Sequence, residues 1–308
     1  MKIAIVGAGG VGGYFGGRLA AAGHSVGFVA RGKHLDALRS GGLVVRSPAG
    51  DLMLVVQATN DPAELGVADY VLVCVKTWQL PEVIPSIAPL VGDTTAIVTV
   101  QNGVEAPGQV AAVYGREAVV PGTAEVIAYV DSPGSIRHIS NGKLNLAEWD
   151  SHPTQRTEWL CDAVIDAGLQ AAMPHDIWAV IWAKFLFIVP CGGLGTATGA
   201  GYGVLRTHPA ARRLLTEAAT EIYDLALARG IRLAEDVVPQ TLDFIDQLPA
   251  GGTTSLQRDL TAGRPSELEA WTGAVVRLGR ESGVPTPVNT FLYEIAAARA
   301  FAAGTNAH

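Results

Sequence analysis

The first 22 residues, MKIAIVGAGGVGGYFGGRLAAA, constrain this chain more than any other stretch. The apolar run Ile3-Ala4-Ile5-Val6 meets Gly7 without a polar break, and Gly7, Gly9 and Gly12 then fall at GxGxxG spacing. A helical pattern of Tyr14, Phe15, Leu19 and Ala22 follows. A buried strand, a tight glycine turn and a helix start are the context that a dinucleotide-binding turn requires. The first glycine permits the turn, the second lets backbone amides approach a pyrophosphate, and the third lets helix and strand pack closely. The pyrophosphate then rests on the helix N-terminus, where open N–H groups and the macrodipole favour negative charge. Glycine spacing alone is weak in a chain with 36 glycines. The flanks carry the reading.

The rest of the first half alternates strands and helices, as in a doubly wound parallel sheet. Ser25 to Val29 reads as the second strand and runs into Ala30-Arg31-Gly32-Lys33-His34. An NAD-specific fold places a carboxylate there for the ribose 2′-hydroxyl, whereas arginine suits a 2′-phosphate. Arg31 therefore points to NADP(H). Leu43 to Arg46 and Leu52 to Val56 flank the hairpin signal Ser47-Pro48-Ala49-Gly50-Asp51. Asp69 to Val75 is a strand ending in Lys76, and Thr94 to Val100 is another ending in Gln101-Asn102-Gly103. Ligands of open α/β sheets bind beyond the carboxyl ends of strands, so Lys76 and Asn102 share a rim with the glycine turn. Four short strands are expected next, at Val119-Val120, Val126 to Val130, Ile136 to Ile139 and Leu144 to Ala147. The turns Asp131-Ser132-Pro133-Gly134 and Ser140-Asn141-Gly142 separate them. A helix over Thr154 to Ala167 and a strand over Leu169 to Met173 close the first domain.

After Pro174 the patterns become long and helical. Helices are expected over Ile177 to Val189, Ala210 to Arg229, Leu256 to Thr261, Glu267 to Ser282 and Pro287 to Ala302. The expected architecture is thus α/β, an N-terminal Rossmann-type dinucleotide-binding domain over 1–174 followed by an all-helical domain over 175–308. A net charge of −7 gives no basic stripe for nucleic acid. Cys74, Cys161 and Cys191 form no CxxC pair and read as reduced thiols of a cytoplasmic protein. No signal peptide or membrane span is expected; Phe185 to Ala200 comes nearest but contains Pro190 and several glycines. The seven histidines show no metal-ligand spacing. Ala296 to Ala303 is alanine-rich and suits either a homodimer interface or a core face.

Carbonyl reduction by a nicotinamide needs an acid at the carbonyl oxygen and groups that hold the substrate in register. Lys184 lies within the apolar run Ile181 to Val189. It is either a desolvated proton donor or a lysine that snorkels to the surface. Ser255 and Glu267 follow, and Ser266-Glu267 could by itself be a helix start.

From end to end the chain resembles the ketopantoate reductase (2-dehydropantoate 2-reductase) family. The matching pieces are the N-terminal GAGGVGG, Ala30-Arg31-Gly32, Cys74-Val75-Lys76-Thr77-Trp78-Gln79, Gln101-Asn102-Gly103, Trp182-Ala183-Lys184, and Ser255 with Glu267. The resemblance implies cofactor contacts at Gly7, Gly9, Gly10, Val11, Gly12, Arg31, Lys76, Gln79 and Asn102. It implies Lys184 as general acid with Glu267 as a second catalytic residue, substrate contacts from Asn102 and Ser255, and an active site where the two domains meet. The family pattern has asparagine where this chain carries Ile188, Gly192, Gly252 and Thr272. A site that pairs a substrate hydroxyl selects strongly for it, and an apolar site does not. Reduction of 2-dehydropantoate to pantoate in pantothenate biosynthesis is the leading expectation. A D-2-hydroxyacid dehydrogenase acting on a bulkier apolar 2-oxo acid is the first alternative, and a non-catalytic NADPH-binding sensor is the second.

Overall fold

The structure is a computed structural model and describes residues 1–304. The chain forms two compact units, the first made of Met1–Gln101 and Glu105–Ile177, the second of Asn102–Val104 and Trp178 onward.

The first unit follows the order β1 (Lys2–Val6), α1 (Gly10–Ala21), β2 (Ser25–Val29), α2 (Gly32–Gly41), β3 (Leu43–Arg46), β4 (Leu52–Leu54), β5 (Gln57–Thr59) and β6 (Tyr70–Val73). It continues through α3 (Leu80–Ser86), β7 (Ala96–Thr99), α4 (Ala106–Tyr114), β8 (Val119–Ser132), β9 (Ser135–Leu146), α5 (Gln155–Asp166) and β10 (Gln170–Ala172). The strands form a mixed sheet in the order β4-β3-β9-β8-β7-β6-β1-β2-β5, with β10 beside β9. The stretch from β8 to β5 is parallel throughout. Strand side chains alternate between faces, and both faces of this stretch are covered. Ile3, Ile5, Tyr70 and Leu72 join one buried cluster with Phe15, Leu19 and Phe28. Ala4, Val6, Val71 and Val73 join another with Leu80, Ile84 and Val110. Strands buried on both faces read as unbroken apolar runs, which is why β1, β6 and β7 stand out in the sequence. Full burial of side chains such as Phe15 and Leu19 stabilises by about 1.5–3 kcal/mol each.

The expected hairpin of Leu43 to Arg46 and Leu52 to Val56 is present as the antiparallel pair β3 and β4. The four short strands expected beyond Val119 are instead two long ones. β8 and β9 pair antiparallel along most of their length, and the ladder jumps a residue at three points. Glu125 faces Lys143 while Val126 faces Asn141, so Gly142 is the extra residue of a bulge. Asn141 at φ 62° and Gly142 at φ 148° are the dipeptide that resembled a turn. Here it kinks the strand without reversing it, and the Asn141 carbonyl is bonded by Nε2 of the buried His138 at 2.6 Å. β5 is a further addition, a three-residue edge strand parallel to β2 with no apolar alternation to announce it.

The second unit is helical: α6 (Ile177–Thr198), α7 (Tyr202–Thr207), α8 (Pro209–Ala228), α9 (Val237–Gln247), α10 (Ser255–Thr261), α11 (Thr272–Ser282) and α12 (Pro287–Ala302). α6 runs nine residues past its expected end at Val189, through Pro190. At 22 residues, with a window of mean hydropathy 1.8, it is long and apolar enough to cross a membrane, contrary to the sequence reading. Of that window 67% is buried within the protein, as in the core helix of a globular unit. Cys191 and Leu194 pack with Leu205, Leu215, Ile245 and Leu292. Glycines on α6 let neighbours come close. A Cβ at Gly193 would lie 3.2 Å from Leu292 and from Thr272, and one at Gly195 would lie 2.5 Å from Gln257 Oε1. α12 is anchored from α8, where the buried Glu221 carboxylate accepts the backbone N–H groups of Val288 at 2.7 Å and Asn289 at 2.9 Å, and Asn289 Nδ2 at 2.7 Å. That satisfies orphan donors of the α12 N-terminus.

α7 and α9 were not expected. α7 is six residues long, and α9 offers only Val237, Thr241 and Ile245 as a buried stripe. The helix expected from Glu267 starts at Thr272, after turns in which the Trp271 N–H donates to the Glu267 carbonyl at 3.0 Å and the Gly273 N–H to the Leu268 carbonyl at 3.0 Å.

Candidate active site

In the first unit the glycine turn behaves as its spacing requires. Gly7 sits at φ 98°, a region that side chains resist, and a Cβ there would lie 2.8 Å from Val75 Cγ1. A Cβ at Gly12 would lie 2.1 Å from the Gly7 carbonyl and 2.8 Å from Ile5 Cγ2, so only glycine lets α1 pack on β1 this closely. Gly10 meets a second wall, with the Ala128 carbonyl 2.2 Å from where its Cβ would be. Around Gly9 the opposite holds, since a Cβ there would meet nothing within 4 Å. Gly9 is the N-cap of α1, and among the described residues no side chain caps the helix and no acid stands in its first turn. The turn is therefore packed on the sheet side and open at the helix N-terminus, beside the partly buried Val11. A pyrophosphate fits this arrangement: N–H donors, no competing carboxylate, and space.

The neighbouring strand ends bring the other first-unit residues to the same rim. The Gly7 N–H donates to the Val29 carbonyl at 3.0 Å, tying the turn to the end of β2, two residues before Arg31. Arg31 is the N-cap of α2 and is exposed, with Nη1 2.7 Å from Oε1 of Glu82. Lys76 and Gln79 follow β6, and the Gln79 side-chain carbonyl accepts the Lys76 N–H at 3.1 Å, which fixes the loop. Gln101 locks the two strand ends together. Its Nε2 donates to the carbonyls of Val73 at 2.7 Å and Val75 at 3.2 Å, with the residue buried. Gln101 thereby fixes the strand end that leads into Lys76. Its only trace in the sequence is its place before Asn-Gly. Cys74, beneath the turn, has its thiol pushed up to about 12 by burial, so it is an inert packing group.

The second unit holds Lys184, Glu267 and Ser255, together with the short Asn102 segment. Lys184 is partly buried on α6, between the buried Trp182 and Phe185. Ile188 and Gly192 lie one and two turns further along the same side of the helix, and Ile188 is buried. Ser255 is the first residue of α10, but the cap is Thr254, whose hydroxyl accepts the Gln257 N–H at 3.2 Å. The Ser255 side chain is thus relieved of the capping role. Glu267 is 3% exposed and lies five residues before α11, so it does not act as a first-turn acid of that helix. A carboxylate so deeply placed, outside the helix it was expected to open, is costly unless it serves a partner. Gly103, at φ 116°, brings the Asn102 turn close to the Glu267 segment: a Cβ there would lie 3.1 Å from the Ala270 carbonyl.

Two aromatic rings occupy space beside the glycines of this unit. A Cβ at Gly192 would come 3.0 Å from the ring of Trp271, and one at Gly252 would come 2.8 Å from the ring of Tyr202. Trp271 is 1% exposed, and its indole Nε1 has no hydrogen-bond partner among the described residues. Neither ring was singled out from sequence. The signal lay in their counterparts, two glycines at positions where a larger side chain was expected.

The family described as ketopantoate reductase PanE/ApbA matches residues 3–151, and its C-terminal counterpart matches 176–300. A 2-dehydropantoate 2-reductase from Mesorhizobium japonicum is 32% identical, across 93% of this chain and 94% of its own length. The chain belongs to the ketopantoate reductase family. Its members are NADP-dependent oxidoreductases that act on CH–OH donors. Among solved structures, a ketopantoate reductase from Ralstonia eutropha superposes with TM-score 0.92 at 28% identity, covering 99% of this chain and all of that one. A D-mandelate dehydrogenase solved with NADH and anilino(oxo)acetate superposes with TM-score 0.91 at 23% identity, covering 99% of this chain and 100% of that one, and so shares the fold.

Proposed function

We propose that this protein reduces a 2-oxo acid to a 2-hydroxy acid with NADPH. The observation that carries this reading is the pairing of an open, uncapped glycine turn at Gly9 with a second unit that holds Lys184, Ser255 and the buried Glu267. Gly7, Gly9, Gly10, Val11 and Gly12 would cradle the pyrophosphate, Arg31 the 2′-phosphate, and Lys76, Gln79 and Asn102 the remainder of the dinucleotide. Bound there, NADPH supplies the hydride. Lys184 donates its Nζ proton to the oxygen of the C2 carbonyl as negative charge builds on it. Glu267 orients Lys184, and the Ser255 hydroxyl with the Asn102 amide holds the acid in register.

2-Dehydropantoate stands first among substrates, because the relative at 32% identity is a 2-dehydropantoate 2-reductase. A second reading is favoured by the rings of Trp271 and Tyr202 and by the buried Ile188. Where the resemblance leads one to expect amides, this chain has apolar groups, which do not hydrogen-bond a substrate hydroxyl and so do not select for a hydroxylated acid. A panel of ketopantoate, 2-oxoisovalerate and phenylglyoxylate with NADPH separates the readings by kcat/KM. Preference for ketopantoate by about 100-fold or more supports the first, since a site built to pair a hydroxyl discriminates strongly. Preference for either apolar acid supports the second. NADPH bound but oxidised by none of the three would leave a cofactor-binding sensor and refute catalysis.

A further inference from the structure

Arg31, the residue that makes the rim suited to a 2′-phosphate, is already engaged. Its Nη1 lies 2.7 Å from Oε1 of Glu82, with 54% of the arginine side chain and 67% of the glutamate side chain exposed. The two residues are 51 apart in sequence and reach each other from different elements, Arg31 from the N-cap of α2 and Glu82 from the first turn of α3. The basic side of the pair consists of Arg31 with Lys33 two residues on. Among the described residues no side chain caps α2 either.

NAD-specific folds hold the ribose 2′-hydroxyl with a carboxylate from the end of the second strand, and NADP-specific folds place an arginine nearby for the 2′-phosphate. This chain has the arginine at that strand end and brings a carboxylate to the same point from α3. We propose that Glu82 sets the cofactor selectivity of this protein. It penalises the 2′-phosphate of NADPH and offers an acceptor to the 2′-hydroxyl of NADH, so that both dinucleotides bind. The inference rests on the assignment of Arg31 to the 2′-phosphate. A 2′-phosphate must take the guanidinium from Glu82 and then lie beside its negative charge. A 2′-hydroxyl can donate to Glu82 and leave the ion pair intact. Because the pair is exposed, the penalty is modest and salt-dependent, and the arginine remains available to a doubly charged phosphate.

The test is equilibrium binding, by calorimetry, of NADPH, NADH and adenosine 2′,5′-bisphosphate to the full-length protein and to Glu82→Gln. The exposure of Glu82 makes the variant benign for folding. The expected result is a Kd for NADPH and for adenosine 2′,5′-bisphosphate lowered by about 2- to 5-fold at low salt, with the difference shrinking at 1 M salt. The Kd for NADH stays level or rises. Unchanged NADPH binding, or equal tightening of NADPH and NADH, overturns the proposal. Arg31→Ala separates the role of Glu82 from that of Arg31. If it weakens NADPH relative to NADH while Glu82→Gln changes nothing, the selectivity role of Glu82 fails and the phosphate assignment stands. If Arg31→Ala leaves the NADPH to NADH ratio as in the parent protein, the phosphate assignment itself is wrong.

Discussion

The two units of this chain build their parts of the chemistry by different means. In the first, the candidate cofactor turn is made of backbone: a glycine at positive φ, a helix start with no side-chain cap, and contacts of Gly10 and Gly12 so close that a methyl group would collide. In the second, the candidate groups are side chains on separate segments: Lys184 on α6, Ser255 on α10 and Glu267 in the turns before α11. A backbone site tolerates few substitutions because geometry forbids them. A side-chain site can exchange its members while keeping its frame, and Ile188, Gly192, Gly252 and Thr272 stand where asparagines were expected. The glycine turn is therefore the less exchangeable part of the molecule, and the candidate side chains, Arg31 and Glu82 included, are the more exchangeable.

Gly12→Val attacks the backbone half most directly. With the Gly7 carbonyl and Ile5 against the added atoms, we expect a loss of about 3 kcal/mol in stability and no measurable NADPH binding. Thermal unfolding with and without NADPH reads both, and a variant that the cofactor still stabilises would show that the close packing is dispensable.

A smaller effect contrasts two tyrosines. In the first unit burial pushes the Tyr70 hydroxyl up to about 12, and it donates to the Arg156 carbonyl at 2.8 Å. In the second unit the hydrogen bond to Glu269 raises Tyr293, also to about 12. The unfolded chain ionises its tyrosines near pH 10, while the folded protein resists to about 12. The stabilisation is thus complete below about pH 10 and is lost as pH rises toward 12. Denaturant midpoints from pH 8 to 12 should fall, and Tyr70→Phe should flatten that fall by about 2 kcal/mol or less. An unaltered alkaline limb in this variant would mean that Tyr70 is no better buried than an exposed tyrosine.

The same contrast explains what was legible in the sequence. β1, the glycine turn and α1 are contiguous, and each residue type there answers to one local requirement. The sheet strands β6 and β7 were legible because burial on both faces leaves an apolar run. The misreadings have one cause, which is tertiary contact overriding a local signal. Asn141-Gly142 resembled a turn, yet pairing on both sides carries β9 through it as a bulge. The expected end at Val189 precedes Pro190, yet α6 continues to Thr198, with Cys191 and Leu194 packed into the apolar cluster of the helical unit. Ser266-Glu267 resembled a helix start, yet Trp271 seats against Gly192 and the helix begins at Thr272. Trp271 and Tyr202 gave no signal of their own, because the role of each is defined by a residue at least 50 positions away.

The division of labour between the units is tested most directly by Lys184→Ala, measured for NADPH binding and for turnover of the best 2-oxo acid in the same preparation. The account predicts an NADPH Kd within about twofold of the parent protein, together with turnover lower by about 100- to 10,000-fold, the range that a positioned general acid supplies. Turnover equal to that of the parent protein, with NADPH binding intact, would contradict it.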